Sequence, residues 1–233
     1  LEPEEADTFN VGALVQAGGF KGSLDYWSFK FKNPIGTEGG TDLVAAFFGT
    51  ATAPLNFCGN PACAGLQRRL TFVGDCSPAN LIRTRVNVIN GPQEDVSGLD
   101  ASLSYLFDNL FAAELILGVD ASYTLSYERE ALIVEGVQIQ AAADYAGTRG
   151  SGAGSIPDLR GSVYADVSTG EHSVRWTTRY IAGVTDVRPS VVGGHSEIGS
   201  FLTHDLVYRW QMPSETTFSA SVRSRPAGSP LCA

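Results

Sequence analysis

The sequence predicts an all-β protein, an antiparallel transmembrane β-barrel portion built as a meander of long strands. Three observations lead there. Apolar and polar residues alternate with a period of two over stretches longer than the ~5–6 residues of an ordinary strand. Short turns alternate with long connections along the chain. The longest apolar run, from Leu43 to Phe48, is only six residues, far below the ~18 that a membrane-spanning helix needs.

The strands follow in order. In TFNVGALVQA, Phe9, Val11, Ala13 and Val15 alternate with Asn10, Gly12 and Gln16, and Leu14 breaks the rule. In SLDYWSFKFK, Trp27, Phe29 and Phe31 oppose Ser28, Lys30 and Lys32. In IRTRVNVIN, Ile82, Thr84, Val86 and Val88 oppose Arg83, Arg85 and Asn87. In GLDASLSYLF, Leu99, Ala101, Leu103 and Tyr105 oppose Asp100, Ser102 and Ser104.

The strongest signal is ELILGVDASYTLSYE, residues 114–128. Its odd positions, Leu115, Leu117, Val119, Ala121, Tyr123, Leu125 and Tyr127, are all apolar or aromatic. Among its even positions only Ile116 is large and apolar. A helix turns about 100° per residue and would scatter these side chains around its circumference, whereas a strand puts them on one face. The length also suits the ~9–11 residues of a tilted membrane strand.

Three more strands follow. Val174, Trp176, Thr178 and Tyr180 oppose Arg175, Thr177 and Arg179. Leu202, Leu206, Tyr208 and Trp210 oppose Thr203, Asp205, Arg209 and Gln211. Phe218, Ala220 and Val222 oppose Ser219, Ser221 and Arg223.

The turns predicted at 17–22, 107–110, 168–171 and 212–215 are short. The connections at 33–81, 130–157 and 184–200 are long. Outer-membrane barrels have this asymmetry, with short periplasmic turns and long external loops, and a two-sheet sandwich has no reason for it. Residues 41–49 read as a short helix in the first long loop, and 130–145 as strand beyond the membrane or a hairpin in the second. A secreted or surface-exposed soluble β-sheet binding module also alternates when one face is wet and stands as the alternative.

Composition excludes other classes. Charged residues are 18% of the chain, against roughly 25% in soluble domains. The net charge of −9 argues against a nucleic-acid binder, which needs a basic patch. His172, His195 and His204 are isolated, and no His/Glu spacing suggests a metal. GTRGSGAGS, residues 147–155, lacks the strand-to-helix context and the Gly-Lys-Ser/Thr of a phosphate loop, so it reads as an external loop. No enzyme activity and no cofactor is implied. Cys58, Cys63 and Cys76 share a turn-rich stretch without a nearby His, which favours a surface-loop disulfide between two of them in an oxidising compartment.

Several segments also resemble TonB-dependent receptors. LEPEEADTFNVGALVQ is similar to a "Leu-Lys-Pro-Glu … Tyr-Asn-Leu-Gly" barrel strand of that family, and LDYWSFKFKNPI to the strand that follows it. VSGLDASLSYLF resembles a "Thr-Ser-Gly-Val-Asp" strand, and SIPDLRGSVYADVSTGEHSVRWTTRYIAG a hairpin ending in Arg-Tyr. FLTHDLVYRW and FSASVR resemble the next two strands.

The resemblance implies a bacterial outer-membrane location and a barrel of about 22 strands around a plug. Residues 1–233 would then be a partial TonB-dependent receptor β-barrel domain with about eight membrane strands, with the plug domain, which lies amino-terminal in the family, absent, and the last strand absent as well, because SVRSRPAGSPLCA departs from the family's usual continuation. It further implies uptake of a scarce nutrient of the siderophore, cobalamin or oligosaccharide class. The implied partners are outer-membrane lipid, a small-molecule ligand, and TonB reached through the missing plug. Arg83, Arg85, Arg175 and Arg179 are candidates to guide anionic ligands through the lumen or to pair with acidic neighbours.

Overall fold

A computed structural model describes residues 1–50, 53–110, 112–150, 154–187, 197–213 and 215–224. His195, Cys232, the Arg225–Pro226 step and parts of the 147–155 and 184–200 segments lie outside them. Eight long strands make one antiparallel meander: β1 (Glu5–Ala17), β2 (Phe20–Lys32), β3 (Glu94–Leu110), β4 (Ala113–Arg129), β5 (Leu159–Thr169), β6 (His172–Ile181), β7 (Phe201–Gln211) and β8 (Thr217–Arg223). Neighbours in sequence are neighbours in the sheet, and among the described residues nothing pairs β1 with β8, so the barrel is not closed.

Register converts the alternation in each strand into rows across the sheet. One row runs Phe20–Tyr105–Leu117–Ala165–Trp176–Leu206–Val222. The row above it runs Val15–Gly22–Leu103–Val119–Val163–Thr178–His204. Slipping one strand by a single residue would turn its apolar set to the opposite face, so the shared phase of eight strands is strongly specified. The band is bare: Val11, Leu24, Leu103, Leu117, Val163, Trp176 and Leu206 are all exposed. In water that much uncovered apolar surface is unfavourable, and in lipid it is the required surface.

Strand 113–129 is continuous, as predicted, but its phase changes once. Ser97 pairs with Ser126 while Gly98 pairs with Thr124, leaving Leu125 as an extra residue in β4. Such a bulge shifts every later side chain to the other face. Leu117, Val119 and Tyr123 therefore lie in the apolar band, whereas Tyr127 turns to the polar face beside Val96. Tyr127 had been expected on the apolar side.

Two other expectations are corrected by the pairing. Residues 82–88 are not a barrel strand. They split between Leu81–Thr84, paired with Leu70–Phe72, and Val88–Asn90, paired with Ile35–Thr37, both outside the main sheet. The alternation there reflects exposed two-stranded ribbons, and β5 supplies the strand that keeps the total at eight. Trp27, Phe29 and Phe31 share a face with Asp25, Ser23 and Lys21, the polar one. Above the band lipid no longer dictates which face is apolar, and the opposite face carries Lys30, Lys32, Asp7 and Asp95, with Lys32 2.8 Å from Asp7.

The short turns are tight. Gly18 and Gly170, each with positive φ (57° and 55°), start two-residue loops that join β1 to β2 and β5 to β6. A glycine takes this left-handed backbone without steric cost. The long connections leave the opposite rim, and the first and second pack into a cap. Its helix, α1 (Gly40–Phe48), lies where a helix was expected. Leu43, Phe47, Phe48, Cys63, Leu66, Leu70 and Val134 form a buried core there. A hairpin of Leu132–Val134 and Val137–Gln140 from the second connection completes it.

Candidate functional site

The polar face of the sheet, which a barrel turns to its interior, sorts its charges by strand. β2, β3 and β4 carry Asp25, Asp100 and Asp120; Asp25 and Asp100 are directly opposite one another, and Asp120 accepts a hydrogen bond from Ser102 at 2.7 Å. β5 to β8 carry Arg160, Arg175, Arg179, Arg209 and Arg223. Asp205, only 7% exposed, sits among them. Arg223 Nε donates to its carboxylate at 2.7 Å and Arg179 pairs with its other oxygen. Arg175 lies 3.6 Å from Asp166 and stacks over the Tyr164 ring, 4.1 Å from its centroid. Arg175, Arg179, Asp205, Arg209 and Arg223 border a recess of about 620 Å³. Among the described residues Arg160 and Arg209 have no charged partner.

A second cluster closes the mouth of the sheet. Glu94 on β3 pairs with Arg129 on β4 at 2.5 Å and accepts a hydrogen bond from the Tyr127 hydroxyl at 2.6 Å. The Leu125 bulge places Tyr127 within reach. The Arg129 guanidinium also lies 5.5 Å from the centroid of Tyr145 in the second connection. Above this cluster a cavity of about 640 Å³ separates the first connection from the second. Asp42 in the first turn of α1 accepts from the Gln140 side chain at 2.7 Å across it.

Deeper in the cap, Arg69 bridges the two connections. It pairs with buried Glu38 and, at 3.1 Å, with Glu135. Burial works to lower the Arg69 pKa, but the two carboxylates outweigh it and hold the guanidinium above its ordinary value. The backbone N–H of Asn87 donates to Glu38 at 2.8 Å.

The cysteines and arginines singled out in the sequence separate in space. Cys58 and Cys76 form a disulfide (S–S 2.07 Å), and Cys63 is a free thiol buried in the same core. Arg83 and Arg85 are exposed on the cap and do not reach the polar face of the sheet. Arg175 and Arg179 are on that face. Sequence reasoning missed Glu94, Arg129, Asp42 and Gln140, because their meeting depends on how two connections pack. It also missed Asp205 as the centre of the arginine cluster, although an acid in the polar phase of an arginine-flanked strand was a readable signal.

A single layer that bares apolar rows on one face, arrays charge on the other and folds its long connections into a cap is the construction of an outer-membrane transport barrel. The TonB dependent receptor-like, beta-barrel family model matches residues 1–223, and the chain belongs to that family. Among solved structures it is similar to a mutant of the ferric enterobactin receptor from Pseudomonas aeruginosa, with a TM-score of 0.54 and 14% identity over 94% of this chain and 25% of that one. It is equally similar to another mutant of that receptor, in complex with enterobactin, with a TM-score of 0.53 and 14% identity over 94% of this chain and 26% of that one. The chain thus spans about a quarter of these neighbours, and at this identity the likeness is one of fold. No curated protein matches the chain.

Proposed function

We propose that this chain forms part of the wall and external cap of a receptor that takes up a scarce small-molecule nutrient across the bacterial outer membrane, driven by TonB acting on a plug domain. The observation that carries the proposal is the apolar band, held in phase over eight strands and opposed by a charged face. A soluble module would have to cover that surface with a partner, whereas lipid covers it directly. Arg175 and Arg179 serve here mainly to hold Asp166 and Asp205, keeping the polar face ordered. Among the described residues Lys21, Arg160 and Arg209 are polar-face cations without a charged partner, left to meet whatever fills the lumen. The cap's residues stand where an arriving nutrient meets the protein first.

The test is to express the receptor from its complete reading frame in cells with and without TonB. The expected result is a heat-modifiable species in the outer-membrane fraction and nutrient-limited growth that depends on TonB. Recovery as a soluble periplasmic or secreted protein would overturn the proposal in favour of a soluble β-sheet binding module.

A further inference from the structure

We infer that the cavity between the two packed connections is a binding site for a neutral, hydroxyl-rich guest, the chemistry of an oligosaccharide, and that it rejects polyanionic iron chelates. The inference rests on the uptake reading and names the class of nutrient for it.

The cavity measures about 640 Å³, within the 300–1,000 Å³ of ordinary small-molecule sites. Its charge balance decides between guests. Three charged side chains line it: Asp42, Glu94 and Arg129. Glu94 is already bound by Arg129 at 2.5 Å and by the Tyr127 hydroxyl at 2.6 Å, so that pair is close to neutral. The Asp42 carboxylate remains, balanced only by the amide of Gln140 at 2.7 Å. A multiply negative chelate entering here would meet a net negative wall. Arg83 and Arg85, the exposed cations of the cap, are not among the lining residues.

The hydrogen-bonding groups are mixed in the way hydroxyls require. Asp42 accepts, Gln140 both donates and accepts, and the Thr37 and Thr41 hydroxyls do both. Between these groups Ile35, Ile89 and Leu132 offer aliphatic patches against which the C–H faces of sugar rings can lie. One wall comes from the first connection and one from the second, so the Arg69 bridge to Glu38 and Glu135 fixes the width of the site.

The experiment uses the complete receptor in detergent micelles. Binding is measured on an array of neutral oligosaccharides, on their sulfated and uronic counterparts, and with iron tris-catecholate. The expected result is retention of at least one neutral glycan, with its anionic counterpart bound at least about tenfold more weakly. Asp42→Ala and, on the other wall, Gln140→Leu should each weaken the neutral glycan about tenfold, the scale of one hydrogen bond involving a charged group. Unchanged heat-modifiable migration of both variants shows that the barrel still folds. An array with no neutral binder overturns the inference, as does iron tris-catecholate binding more tightly than every glycan. TonB-dependent growth alongside either result would leave the uptake reading standing and remove only the glycan assignment.

Discussion

The ring of Tyr164 fills the space that a side chain on Gly118 would occupy: a Cβ built on Gly118 would sit 2.2 Å from that ring. The two residues are cross-strand partners on the polar face of β4 and β5. The glycine lets the ring lie flat, and the flat ring receives the Arg175 guanidinium at 4.1 Å. Gly118→Ala should therefore destabilise the wall by about 1–3 kcal/mol, as overpacking does. Adding Tyr164→Ala should remove most of that penalty. Urea unfolding from lipid vesicles, run as a double-mutant cycle, measures both.

Val119 and Ser122 lie on opposite faces of β4, Val119 in the apolar row and Ser122 opposite Asp100 and Arg160. Val119→Arg should cost about 2–4 kcal/mol near the bilayer midplane. Ser122→Arg should cost far less, since that face is polar and Asp100 is its cross-strand neighbour. Equal losses in folding into vesicles would refute a two-faced wall.

Deleting Leu125 should leave Tyr127 and Arg129 beside Glu94, because it removes the one residue without a partner and lets Thr124, Ser126 and Tyr127 alternate plainly against Gly98, Ser97 and Val96. Inserting one residue after Ser126 should instead turn Tyr127 to the outer face and separate it from Glu94. Hydrogen exchange at residues 94–96 and 126–129 separates the two: protection kept in the deletion and lost in the insertion is expected, and equal loss in both would show that the register does not position Tyr127.

Arg69→Ala leaves Glu38, 4% exposed, buried without its cation. The cap should lose about 3–5 kcal/mol of local stability, the range for breaking a buried pair. The double variant Arg69→Met with Glu38→Leu should recover much of it. Limited proteolysis of residues 38–90, with barrel melting as the control, separates loosening of the cap from damage to the wall.

Cys63 should resist maleimide in the native receptor because its thiol is buried in the cap core. It should react once Cys58→Ser removes the disulfide, whose loop of about this length contributes about 3 kcal/mol. Rapid labelling of Cys63 in the intact protein would show that this core is not closed.

Most of the wall was legible in the sequence because lipid imposes one rule on one face, and strands such as 114–123 obey it residue by residue. The rule fails where lipid stops. Leu125 and Tyr127 continue the written alternation while the backbone changes phase beneath them. Trp27, Phe29 and Phe31 alternate correctly and yet face inward. Residues 82–88 imitate a wall strand because an exposed ribbon also alternates. The candidate site was less legible: Asp42 and Gln140 are separated by 98 residues, and only the packing of two connections brings them together.

The cap core and the wall obtain their stability from different surroundings, and this bears on the order in which the molecule matures. The wall becomes cooperative when its bare rows enter lipid. The cap has a core of its own, seeded by Leu43, Phe47 and Leu66 and closed by the Cys58–Cys76 bond, so it should open locally without the wall. Insertion thus does not wait for oxidation. A wall inserted under reducing conditions would be sound while its lid stayed unfinished, and the closing of the lid would be timed by thiol chemistry rather than by the membrane.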